Sequence, residues 1–129
     1  MKYYFNKKIS GINFEDGVEL VSEELQKEGF GILTQIDVQA TLKKKLDVDF
    51  RQYLILGACN PPFAHKALLA EDKIGMMLPC NVVIEEDMDG YISISAVDPI
   101  ASMMAVENES LREIAMGIRT KLMNVIDRL

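Results

Sequence analysis

A chain of 129 residues with 49% hydrophobic side chains and dispersed charges of both signs is long enough for one domain (1–129) with its own core, and the composition weighs against disorder. Fourteen Lys and Arg against twenty Asp and Glu give a formal charge of −6, which repels phosphate backbones and argues against nucleic acid as a partner. The N-terminus has no apolar leader and no stretch approaches the roughly 20 apolar residues of a membrane span, so the expectation is a cytoplasmic chain, with no membrane partner and with Cys59 and Cys80 as reduced thiols.

Lys2 to Ile9 alternates, with Tyr3, Phe5 and Ile9 on one side and Asn6 and Lys8 on the other, which predicts a strand. Asn13 is an N-cap with Asp16 three residues on, and Phe14, Val18, Val21 and Leu25 then form one apolar helical stripe that Gly29 ends. Phe30 to Asp37 reads as a second strand, with Phe30, Ile32, Thr34 and Ile36 on one face and Leu33 and Gln35 on the other. Val38 to Leu46 is a short polar helix whose Lys43-Lys44-Lys45 run is a solvated face.

Arg51 to Cys59 contains the apolar run Tyr53-Leu54-Ile55-Leu56-Gly57-Ala58-Cys59, the pattern of a central strand buried on both faces. Asn60-Pro61-Pro62 starts a helix to about Glu71, since proline suits a first turn whose N–H groups have no partner; Ala64, Ala67 and Leu68 are its expected buried side. Leu78 to Glu86 and Tyr91 to Val97 are two further strands, joined by the tight turn Asp87-Met88-Asp89-Gly90, which also accounts for the clustered carboxylates. Asp98-Pro99 reads as a stop. Leu111, Ile114, Ala115, Ile118, Leu122, Val125, Ile126 and Leu129 then keep an apolar stripe through a long C-terminal helix, which must lie on the sheet to bury it. The order predicts an α+β fold: a curved, mostly antiparallel five-stranded sheet packed by helices, including the long C-terminal one.

Cys59 stands at the exit of the third strand, just before a helix N-terminus, and Cys80 at the entrance of the fourth. The helix dipole favours a thiolate at Cys59, while Pro61 and Pro62 remove two N–H donors that would bind it. Cys59, Cys80 and His65, the one histidine, are an incomplete soft-metal ligand set, although Cys-x5-His-x14-Cys matches no established zinc spacing. The competing reading makes both cysteines small buried residues and His65 a helix-surface residue. Met76-Met77 and Met103-Met104 are core-filling residues or an adaptable apolar surface, and Ser93 and Ser95 face solvent, a groove or a partner.

The pairing of Leu56-Gly57-Ala58-Cys59-Asn60-Pro61 and Ala64 with Leu78-Pro79-Cys80-Asn81-Val82-Val83-Ile84, followed by Asp98-Pro99, resembles the bacterial and archaeal family called domain of unknown function 302. The resemblance implies a β-α-β(4)-α fold like that of the TATA-binding-protein half, here with two short helices inserted. It implies that Asn60, Pro61, Leu78, Pro79, Cys80 and Pro99 occupy motif positions. It carries no catalytic assignment and no cofactor.

Three readings of function follow. The first is a module that binds a small ligand or a soft metal ion through Cys59, Asn60, Cys80 and Asn81 in a hollow between the sheet and the two cysteine loops. The second is a homodimeric interaction protein pairing through an edge such as Tyr91-Ile92-Ser93-Ile94-Ser95. The third is a thiol enzyme in which Cys59 attacks and Cys80 resolves.

Overall fold

A computed structural model describes residues 2–129. Alternating stretches form strands β1 (Tyr4–Ile9), β2 (Gly31–Asp37), β3 (Tyr53–Cys59), β4 (Cys80–Glu86) and β5 (Ile92–Val97). Helices α1 (Phe14–Lys27), α2 (Val38–Leu46), α3 (Pro61–Ala70), α4 (Pro99–Ser102) and α5 (Glu109–Asp127) lie between and after them, with a 3-10 turn at Ile74–Met77. The strands form one sheet in the order β1-β5-β4-β3-β2, and each neighbouring pair is antiparallel. The expected α+β architecture is therefore observed, with the 3-10 turn and α4 as additions.

Strand pleating separates two faces. Leu56, Val82, Ile84, Ile94 and Ala96 share one face through the registers Leu56↔Val82, Ile84↔Ile94 and Val82↔Ala96. They are buried together with Val21 and Leu25 of α1 and Leu122, Val125 and Ile126 of α5. The apolar stripe of α5 is what covers the sheet, as its periodicity requires. On the opposite face, Asn6 Nδ2 donates to Ser93 Oγ at 2.8 Å and to Ser95 Oγ at 2.9 Å. Those serines are thus partnered within the sheet. Because β5 lies between β1 and β4, Tyr91–Ser95 offers no free edge, which corrects the expected mode of dimer pairing.

Several local expectations are also revised. The single-face reading of β2 fails because the register shifts between Ile32 and Thr34, a bulge that changes the parity of the strand. Ile32 is opposite Ala58 and Thr34 opposite Gly57, so the two fall on different faces, and Leu33 is exposed. β3 is buried through Leu56, Gly57 and Ala58, whereas Tyr53 and Ile55 are half-buried on the open face. β4 begins at Cys80 rather than Leu78, since Pro79, which follows a cis peptide, has no N–H to give a ladder. Asp98-Pro99 does end β5, which stops at Val97, and Asp98 also caps a short helix: its Oδ1 accepts from Ile100 N at 3.0 Å and its Oδ2 meets Arg119 Nε at 3.2 Å.

The end of α5 is fixed to both the first strand and the first helix. Lys7 Nζ donates to the carbonyls of Asp127 and Leu129 at 2.9 and 3.1 Å. Arg128 Nε meets Glu24 Oε2 at 2.6 Å and its Nη1 meets Glu28 Oε2 at 3.2 Å, while Lys27 Nζ takes the other Glu24 oxygen at 2.8 Å. Hydrogen bonds from Arg128 and then Lys27 hold the Glu24 carboxyl below its ordinary value of 4.5, against the opposing effect of burial. A depressed carboxyl contributes stability that is complete above its unfolded value and lost as pH falls through the folded one. Glu24→Gln is therefore expected to destabilise the protein at neutral pH and to flatten its acid-unfolding curve below about pH 4.5. The check is denaturant unfolding of both proteins across that range, and parallel curves would contradict the role given to the carboxylate.

Candidate functional site

The helix α3 begins where β3 leaves the sheet, and its position creates a hollow. Phe63 lies on Gly117 of α5, where a Cβ would stand 2.7 Å from the ring Cε1, so only glycine allows this approach. Behind Phe63, between α3, α5 and the adjoining ends of β3 and β4, is a cavity of about 290 Å³. Phe30, Leu33, Phe63, Leu68, Leu78 and Ile118 supply large apolar walls, and Ala58, Ala64, Ala67 and Ala115 leave the space between them. Cys59, Cys80 and Met103 add sulfur, and Asn60 is the one polar residue of the lining.

The two cysteines do border one hollow, as the strand ends require. Their side chains arrive from different directions. Cys80 is in register with Ala58, so it shares the helix-covered face, and Cys59, the next residue after Ala58, belongs to the other side of the pleat. Cys59 reaches the cavity because it is the last residue of β3, where the chain turns into α3. Both thiols are free, Cys80 buried and Cys59 half-buried. Burial in apolar surroundings, and then the nearby Cys59, push the Cys80 thiol up to about 11, so it is protonated at neutral pH.

The remaining expected site residues separate. Asn60 is buried at the N-cap position of α3 but makes no side-chain cap. Its Nδ2 donates instead to the Glu28 carbonyl at 3.1 Å, which ties the end of α1 to the start of α3. Asn81 is exposed, opposite Gly57 on the open sheet face, and does not line the cavity. His65 is exposed on α3 and also lies outside the lining. Among the described residues no three His, Cys, Asp or Glu side chains gather in a metal-holding group. The expected Cys59, Cys80 and His65 ligand set is therefore not assembled, because His65 occupies a different face of the helix from Phe63, Ala64 and Ala67.

Sequence reasoning did not find Phe63, Leu78, Met103 or Ile118 as lining residues. A signal was available on α3, where Phe63, Ala64, Ala67, Leu68 and Leu69 are too many apolar residues for one buried stripe; Ala67 is buried, while Leu68 and Leu69 are exposed. Gly57 is another: a side chain there would collide with Thr34 Oγ1 and approach Pro79 Cγ to 2.7 Å, so the Pro79 loop rests on bare backbone. A larger hollow of about 530 Å³ lies over α4 and the start of α5, lined among others by Met104, Glu107 and Arg112, and contains none of the expected site residues.

The thiol chemistry is directly measurable. At pH 8 a Cys80 thiol titrating near 11 is only about one part in a thousand thiolate. Iodoacetamide should therefore modify native Cys80 very slowly, with a rate that climbs about tenfold per pH unit up to about pH 10. Peptide mapping by mass spectrometry resolves the two cysteines, and rapid Cys80 labelling at pH 7 would refute the assignment.

No helix among the described residues is long and apolar enough to cross a membrane. No curated protein matches the chain. Among solved structures, an uncharacterized conserved protein DUF302 from Bacillus stearothermophilus is similar over 99% of this chain and 98% of its own, with 29% identity and a TM-score of 0.90. The family model described as domain of unknown function DUF302 matches residues 5–129. With the sheet order, the two cysteine loops and the long closing helix accounted for over that whole span, the chain belongs to the DUF302 family.

Proposed function

We propose that the protein is a binding module that takes a small apolar molecule into the cavity beside α3. The observation that carries this reading is the lining itself: apart from Asn60, whose amide nitrogen already serves the Glu28 carbonyl, every lining residue presents hydrocarbon or sulfur. Ligand sites are usually concave and mostly apolar, with a few polar groups to orient what binds. A cavity of about 290 Å³ stands at the lower end of that class.

The same lining disfavours the other readings. A soft metal site is usually built from three or four ligands, and among the described residues no third His, Cys, Asp or Glu gathers with Cys59 and Cys80. A thiol enzyme needs a base near its nucleophile, and no histidine, lysine or carboxylate lines the cavity. The cysteines fit better as polarizable wall atoms for an apolar guest.

1-Decanol is a neutral probe of suitable size. Titration is expected to move the methyl NMR signals of Ile118, Leu68 and Ala67, which line the cavity, and to leave those of Val125, in the sheet-covering part of α5, in place. Ala64→Leu, which extends a lining side chain into the space, should weaken binding by about tenfold or more. If no cavity methyl shifts up to the solubility limit of the alcohol, the proposal is wrong.

A further inference from the structure

We infer that the ligand is an amphiphile with an anionic head, a medium-chain carboxylate whose tail fills the cavity and whose carboxylate stays at the Phe63 rim. This rests on the cavity being a binding site as proposed above. The new observation is electrostatic. Lys66 of α3 and Lys121 of α5 place their ammonium groups 5.7 and 5.9 Å from the centroid of the Phe63 ring, the ring that forms one wall of the cavity. Neither lysine lines the cavity, but two cations thus flank one of its wall residues from two different helices, in a chain whose formal charge is −6.

Neither lysine has an ion-pair partner among the described residues. The ion pairs among the described residues engage Lys8, Lys27, Lys43, Arg51, Lys73, Arg119 and Arg128, and none engages Lys66 or Lys121. Their partners within reach are the face of Phe63 and solvent. An anionic head group at this rim would gain both charges without leaving water, which avoids the cost of burying a carboxylate. The interior cannot hold that head, because Asn60 is its one polar residue. A cationic head would face two like charges, and a wholly apolar ligand would leave the pair unused.

The tail follows from the volume. A cavity of about 150 Å³ admits benzene, so one of about 290 Å³ takes roughly ten carbons on the same scale. Decanoate therefore fits both parts of the site.

The test compares decanoate, 1-decanol and decylammonium by calorimetry and by the cavity methyl shifts, with wild-type protein and the Lys66→Gln/Lys121→Gln variant. Decanoate is expected to bind wild type about tenfold more tightly than decanol at low salt, with that preference shrinking at about 0.5 M NaCl and disappearing in the double variant. Equal binding of decanoate and decanol to wild type, independent of salt, or tightest binding of decylammonium, would overturn the anionic head while leaving the apolar cavity reading intact. Binding of none of the three would overturn both. The salt series on wild type decides the matter even if the double variant folds poorly.

Discussion

The contact between Phe63 and Gly117 sets the spacing of α3 from α5, and the rest of the candidate site depends on that spacing. A side chain at position 117 would meet the ring at 2.7 Å and push α3 outward. Phe63 then acts as a spacer, and the alanines at positions 58, 64, 67 and 115 fail to fill what it holds open. Protein interiors are ordinarily packed to crystal density, so a hollow needs such a combination of a rigid wall and small neighbours. The second apolar cluster, of Ala67, Ile74, Met103, Leu111 and Ala115, shares Ala67, Met103 and Ala115 with the cavity lining.

The two sulfur atoms illustrate how a pleated sheet assigns different environments to neighbours. Register places Cys80 beside Ala58 in the covered face, where burial suppresses ionisation. Cys59 is displaced by one residue and stands at the strand terminus, half-buried. Proximity in the fold therefore gives shared packing around one space without giving shared chemistry. The electrostatic character of the region comes instead from the rim, where lysines approach an aromatic face.

Much of the fold was legible because its signals are periodic and local. The stripe of α5, the apolar run of β3 and the Asp87–Gly90 turn each declare themselves within their own segment, and Gly90 adopts the φ of +82° that its turn position implied. The bulge in β2 was not legible, since Ile32, Thr34 and Ile36 alternate convincingly and the shift arises from pairing with Ala58 and Gly57 on another strand. Asn60 was correctly located before a helix, yet its partner is the Glu28 carbonyl, 32 residues away. His65 looked like a ligand because it is near Cys59 in sequence; a helix turns such a neighbour onto another face, and only the packing of α3 on α5 decides which face meets the cavity. The site walls come from five separate segments, so no single window of sequence contained them.

Much of the sheet's cover comes from α5, an element that follows all five strands. Leu56, Val82, Ile84 and Ile94 are buried beneath Leu122, Val125 and Ile126, and Lys7 and Arg128 lock that helix to β1 and α1. During ribosomal synthesis α1 and all five strands emerge before α5 does. A nascent chain must then carry a greasy, half-roofed sheet until α5 clears the exit tunnel, the interval in which it is most exposed to aggregation and most in need of a holdase.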